Sequence, residues 1–250
     1  MAPGGARRQA ARCALAIAAA ASLTLPGAAC AQFAGSLGID SVDRYRGTGT
    51  DDRGPVVRAS AMVDATSGLA SGAYGGLSGL WRTRDGGLAS ADAILGWSGR
   101  LDTVTAFDAL APDWGWDAGV HRRHEGEDSR YDFSEAMLGV RGPGGSLRTW
   151  FAPHYFGGTT HTFYTELDAS HAFDDHWHAF AHVGWLHYGP AGASASRLPD
   201  RTDTLAGISY AISNWDVRLS HDALLGGSAR TDIDSRRSRP AWIASASVAF

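Results

Sequence analysis

The chain has 250 residues with 26 acidic side chains, 22 arginines, no lysine and a formal net charge of −4. That mildly acidic balance argues against a nucleic-acid partner, which asks for a basic face. Glycine occurs 32 times and cysteine twice, so helices are penalised throughout the apolar stretches and no disulfide framework is on offer.

Residues 1–31 read as a signal peptide. Arg7, Arg8 and Arg12 precede the apolar run CALAIAAAASLTL, and Pro26, Gly27 and the small-residue site Ala29-Cys30-Ala31 follow it, in the order of a secretory signal. The run is too short to span a bilayer as a helix. A twin-arginine signal at Arg7-Arg8 and lipidation of Cys30 are the alternatives. Cleavage after Ala31 leaves 32–250, removes both cysteines and three arginines, and takes the charge from −4 to −7. No thiolate then remains for catalysis or metal binding, and no cofactor is implied. The arginine bias supplies bidentate forks for carboxylates and phosphates, although a GC-rich genome yields the same bias.

From there the recurring pattern is alternation. About twelve strands are expected, near 34–46, 55–65, 72–82, 88–98, 114–124, 132–141, 147–156, 162–172, 178–188, 203–213, 215–225 and 241–250. In the fourth, Ala89, Ala91, Ala93, Leu95 and Trp97 share one face opposite Ser90, Asp92, Ile94, Gly96 and Ser98; successive side chains of a strand point to opposite sides. Short connections (DATSGLAS, GPGG, FDDHW, SNW) alternate with longer charged ones (GTGTDDRG, EGEDSRY, GPAGASASRLPDRT, GGSARTDIDSRRSR), the rhythm of an up-and-down barrel with one tight rim and one elaborate rim. Segment 99–113 falls where a short turn belongs, and holds an extra strand or a short helix.

The last strand, AWIASASVAF, ends on an apolar residue with Phe250, Val248, Ala246, Ala244 and Trp242 on one face. Left open in lipid, its unpaired amides and carbonyls would each cost several kcal/mol. Closure against the first strand removes that cost. The expectation is an all-β fold, an antiparallel transmembrane β-barrel of about twelve strands over 32–250 in the cell outer membrane. Its apolar faces, rich in Trp, Tyr, Phe and Ala, would meet outer-membrane lipid. A β-sandwich would instead bury bulky aliphatics and expose its polar faces. Trp81, Trp97, Trp114, Trp185, Trp242 and Phe250 are expected at the membrane interfaces, and the strand ending in Phe250 would engage the barrel-insertion machinery.

The stretch SVDRYRGTGTDDRGPVVRASAMVD, followed by SGAYGGLSGLW, resembles the opening of the proteobacterial Gcw_chp family over about 36–98. Ser41, Tyr45, Arg46, Gly47, Pro55, Gly72, Tyr74, Gly76 and Trp81 carry the likeness, and Glu135 stands where a family glutamate recurs. The chain departs from the family by having Val42-Asp43 where Asp-Tyr is common. The resemblance implies an outer-membrane barrel and carries no activity with it.

The opposite faces hold both signs of charge. Arg46, Arg58, Asp64, Arg82, Asp92, Asp117, Glu135, Arg141, Arg148, Glu166, Asp168, Arg218 and Asp222 would line the lumen, with Asp40, Arg44, Arg123 and Asp216 beside them. They would pair across it or form a charge-selective constriction for small solutes. Seven of the ten histidines lie between 154 and 187, and His176, His178 and His182 are the candidate metal set. Ser220-His221-Asp222 imitates a triad in sequence, but alternation sends His221 to the other face. The functional expectation is a small-solute channel or a structural envelope barrel. An outer-membrane lipid or peptide hydrolase, or an adhesin or receptor working through the loops 189–202 and 226–240, is the alternative.

Overall fold

A computed structural model describes residues 31–49, 54–103, 113–126, 128–158, 160–189, 199–226 and 239–250. Residues 1–30 of the expected signal peptide, part of the 99–113 segment and most of the two longest loops lie outside the described residues, while Ala31, expected to end the signal, opens the first strand.

Among the described residues fourteen strands follow one another: β1 (Ala31–Asp40), β2 (Arg44–Tyr45), β3 (Thr48–Gly49), β4 (Val56–Ala65), β5 (Ala73–Arg82), β6 (Leu88–Arg100), β7 (Gly115–Glu125), β8 (Phe133–Gly142), β9 (Gly145–Ala152), β10 (Thr162–Ala172), β11 (Trp177–Tyr188), β12 (Arg201–Ile212), β13 (Trp215–Leu225) and β14 (Ala241–Ala249). Twelve of them form a closed barrel in which β4 to β14 pair in order and β1 joins the two ends. All these pairs are antiparallel, and β1 pairs Ile39 with both Val57 of β4 and Ala246 of β14. The remaining two strands, β2 and β3, are a separate hairpin.

Closure explains the apolar end of the chain. The Phe250 amide donates to Gly35 O (3.0 Å) and the Gly35 amide to Phe250 O (2.9 Å), extending the seam to the last residue. A side chain at Gly35 has no room, since a Cβ there would stand 2.4 Å from Phe250 Cε2. The Phe250 ring covers that glycine on the outside of the barrel.

The wall is sorted as alternation predicts. Leu77, Leu95 and Leu138 of three different strands are 65–67% exposed on the outer face, while the register places Asp92, Asp117 and Glu135 on the inner one. Bulge geometry between Leu80 and Trp81 shifts the β5–β6 register, and Ala89 joins Val56 and Leu80 in a buried cluster instead of following Ala91 and Leu95 onto the outer face.

Tryptophan forms two belts. Trp81, Trp185 and Trp242 stand near the rim of the longer loops, and Trp97, Trp114, Trp116, Trp177 and Trp215 near the other. Trp177 and Trp185 are eight residues apart on β11, about 27 Å along a strand at ~3.4 Å per residue. A tilt of about 40° reduces this to roughly 20 Å of height, comparable with the apolar band of a membrane barrel. Trp150 alone among the nine tryptophans points inward, against the Tyr164, Leu186 and Tyr188 cluster.

Two boundaries differ from expectation. The 99–113 segment adds no strand among the described residues: β6 runs to Arg100 and a short 3-10 turn takes Leu101–Thr103. The first strand stops at Asp40 instead of running to residue 46. Beyond it the Ser41 amide donates to Ala244 O (2.8 Å) and Ser41 Oγ accepts from the Ala244 amide (3.0 Å), ending the pairing with β14. The chain then folds into the lumen as the β2–β3 hairpin.

Arg82, expected in the lumen, sits at the loop rim, where Nε donates to Asp85 Oδ1 (3.1 Å) of the turn at 83–87. The Gly87 amide (2.8 Å) and then Arg82 hold the Asp85 carboxyl down at about 2, below its ordinary 3.8. A carboxylate whose value is depressed by folding stabilises the turn fully above the unfolded value and loses that contribution as pH falls through the folded one. Protection of the Gly87 amide from exchange should therefore hold from neutral pH to about 4 and fall away as pH drops through about 2. An Asp85 carboxyl titrating near 3.8 by NMR would contradict this.

Candidate functional site

The inward hairpin is built on an unusual turn. Arg46 (φ 50) and Gly47 (φ 70) both adopt left-handed backbone between the paired residues Tyr45 and Thr48, the geometry of a two-residue hairpin loop. Glycine takes such angles freely, and here it is also the only residue that fits: a Cβ on Gly47 would lie 2.6 Å from Asp203 Cβ. Arginine adopts them at a cost of about 1–2 kcal/mol, which must be offset by what its side chain gains.

That gain is a buried fork. Arg46 Nη1 and Nη2 donate to the two oxygens of Glu135, each at 2.8 Å, and the two side chains are only 8% and 1% exposed. The guanidinium carbon stands 4.0 Å from the Tyr164 ring centre, 5.0 Å from Tyr45, 5.5 Å from Tyr155 and 5.9 Å from Trp150. These distances are in the range of cation–π attraction. Above the hairpin the loop at 153–161 contributes Tyr155 and Phe156, whose rings both lie 4.9 Å from Phe133.

Charge pairing continues around the wall. Arg123 Nη1 donates to Asp92 (3.1 Å) and its Nε to Glu125 (2.5 Å). His121 lies between Asp92 (3.0 Å) and Glu135 (3.4 Å). His182 lies between Asp168 (2.7 Å) and Asp203 (3.0 Å), and the Tyr164 hydroxyl donates to Asp203 at 3.1 Å. Glu166 accepts from Trp150 Nε1 (3.0 Å). Arg148 donates to Asp117 (3.2 Å) and stands 3.7 Å from Asp168 and 3.9 Å from Glu166. Buried charge is tolerated only when paired in this way.

Beside this network lies a cavity of ≈ 830 Å³. Its walls include Arg46, Arg58, Asp92, Glu135, Glu166, Asp168, Arg218 and Asp222, eight of the thirteen charges expected to face the lumen. Arg58 pairs with Asp40 (3.1 Å) and Arg218 with Asp216 (2.5 Å), while Asp222 Oδ1 is 3.9 Å from Arg44 Nε. Asp117 and Arg148 face inward within the network without lining the cavity; Asp64 and Arg141 face inward nearer the turn rim. Small side chains complete the inner face, Ser220 and Ser245 on the cavity itself. Ser36, Ser60, Ser220, Ser245 and Ser247 face inward from β1, β4, β13 and β14, with Ser36 Oγ 2.7 Å from Ser60 Oγ.

Alternation would also have placed Trp150 and Tyr164 inward, two residues from Arg148 and Glu166 on their strands, whereas β12 held no expected lumen position that would have flagged Asp203. The placement of Arg46 against them carries no sequence signal, because the β2–β3 hairpin reaches these strands only by folding into the lumen.

Hydrolase chemistry finds no support in the expected triplet. Ser220 and Asp222 face inward, whereas His221 faces outward with its ring 5.1 Å from that of Trp242. Nor is His182 placed as a general base, because carboxylates occupy both ring nitrogens. The candidate metal set does not assemble either: His176 lies in the turn after β10 and its Nδ1 is 2.9 Å from Ala211 O. Glu166, Asp168 and His182 do bring one ligand atom each within 4.8 Å of one another, but Trp150, Arg148 and Asp203 already engage them.

No protein-family model and no curated protein sequence matches the chain. Among solved structures, it is similar to the KdgM porin, with 10% identity, a TM-score of 0.52, and coverage of 87% of this chain and 99% of that one. It is similar as well to the NanC porin in a rhombohedral crystal form, with 8% identity, a TM-score of 0.51, and coverage of 88% and 99%. At such identities the likeness is one of fold: the chain is a porin-like, up-and-down β-barrel with an apolar outer wall and a charged interior.

Proposed function

We propose that the protein is an outer-membrane channel for small solutes, with its termini on the periplasmic side and the hairpin at 41–49 setting the constriction. The observation that carries this reading is the ≈ 830 Å³ cavity, bordered by charged side chains of both signs, left inside a closed barrel. A barrel serving only as a structural element would gain from filling that space. Instead, small side chains such as Ser220 of β13 and Ser245 of β14 stand on its wall. Arg218 and Arg58 edge it with side chains 53% and 43% exposed, where they meet solutes as well as their own carboxylate partners.

Outer-membrane lipid around the aromatic belts and delivery by insertion machinery through the Phe250 end belong to the same reading, supported by the outward-facing Phe250 ring. So does kinship with the Gcw_chp family: Tyr45, Arg46 and Gly47 of the resembling stretch form the turn of the lumen hairpin.

Reconstitution into planar bilayers tests the proposal. Discrete conductance steps are expected, and Arg218→Ala should move the reversal potential in a salt gradient toward cation selectivity by removing a fixed positive charge from the path. A folded barrel that passes no current, with or without its hairpin, would sink the channel reading and favour a receptor or structural role.

A further inference from the structure

The Arg46 side chain occupies its surroundings as a ligand would. Glu135 comes from β8, Trp150 from β9, Tyr164 from β10 and Tyr155 from the loop after β9. Three of the four rings and the carboxylate thus belong to the wall and the loop at its rim, and only Tyr45 arrives with the hairpin. The hairpin itself pairs with no strand of the barrel and carries the positive φ of Arg46. It is a small local element held by its side chains.

The shape of the pocket selects one kind of cation. Two donors meet the two Glu135 oxygens at equal distances of 2.8 Å, which needs a planar fork. The Tyr164 ring centre is 4.0 Å from the guanidinium carbon, suiting a weakly hydrated delocalised cation. An ammonium fits the charge but not the fork. Glu135, with its side chain 1% exposed, keeps only His121 at 3.4 Å as a counter-group once Arg46 is absent, and a cation in its place is favoured.

We propose that Glu135, Trp150, Tyr155 and Tyr164 form a binding site for guanidinium-bearing solutes, with Arg46 as its resident, displaceable occupant. Arg46, Glu135, Trp150 and Tyr164 all border the ≈ 830 Å³ cavity, so a solute in the lumen reaches the site directly. The inference deepens the channel reading by naming a solute class, but binding is measurable whether or not current passes.

The test uses methylguanidinium as probe and methylammonium as control. By calorimetry, refolded Arg46→Ala should bind methylguanidinium about tenfold or more tightly than methylammonium, and Arg46→Ala combined with Glu135→Gln should lose at least about tenfold of that affinity. A second measurement needs no change at Arg46. In a chain beginning at Gln32, which lacks both native cysteines, Thr48→Cys should react severalfold faster with a maleimide when methylguanidinium displaces the hairpin, and methylammonium should not accelerate it. Folded Arg46→Ala that binds neither probe, equal binding of the two, or labelling of Thr48→Cys insensitive to methylguanidinium would each overturn the site. Binding in a barrel without conductance would leave the site standing and remove the channel.

Discussion

Arg46→Ala should lower the stability of the refolded barrel by about 3–5 kcal/mol, the scale observed when one partner of a buried ion pair is removed. The loss is not the net worth of the pair, which is small once both groups have been desolvated. It is the penalty of leaving the Glu135 carboxylate, almost wholly enclosed, with His121 at 3.4 Å as its remaining counter-group. Alanine keeps the Cβ, so the left-handed backbone at position 46 stays strained and returns nothing. Because Arg46 is the hairpin's bidentate anchor on the wall, the variant should also conduct more than the wild type. Arg46→Ala combined with Glu135→Ala separates the two effects: stability should recover in large part while the wider pore remains. Urea titration of the two variants in lipid vesicles checks this, and a double variant as unstable as the single one would contradict it.

The second large effect lies on the outer wall. Leu138, near the middle of β8 and 65% exposed, faces hydrocarbon if the belts mark the interfaces. Leu138→Arg should cost about 2–4 kcal/mol of folding free energy in a bilayer, the penalty for arginine on the lipid face near the midplane. Leu138→Ala, which loses area without adding charge, should cost less. An arginine accepted at this position without penalty would mean that the face meets water, and the membrane reading would fall with it.

These two sites mark where the sequence could be read and where it could not. Leu138 belongs to an uninterrupted alternation that sends Glu135 and Met137 inward and Leu138 outward, and the same rule correctly separated His221 from Ser220 and Asp222. Arg46 was expected in the lumen and is there, but as the tip of a hairpin and not as part of the first strand. Nothing local announces that turn. Arg-Gly is not the residue pair that two-residue loops favour, and the compensation for its backbone lies on Glu135, 89 residues away. Trp150 breaks the tryptophan belt for a similar reason: its indole is bonded to Glu166 on the neighbouring strand, a partner that alternation alone does not select.

By itself the sequence determined the strand rhythm, the two faces of the wall and the apolar seam at Phe250, because each follows from a period of two or from the cost of an unpaired edge in lipid. Only the tertiary structure decided which charges of the lumen pair with one another around the cavity, and that the chain bends inward at Ser41 to place Arg46 against Glu135. Those choices depend on which strands face one another across a closed barrel, and that distance is not encoded in any local pattern.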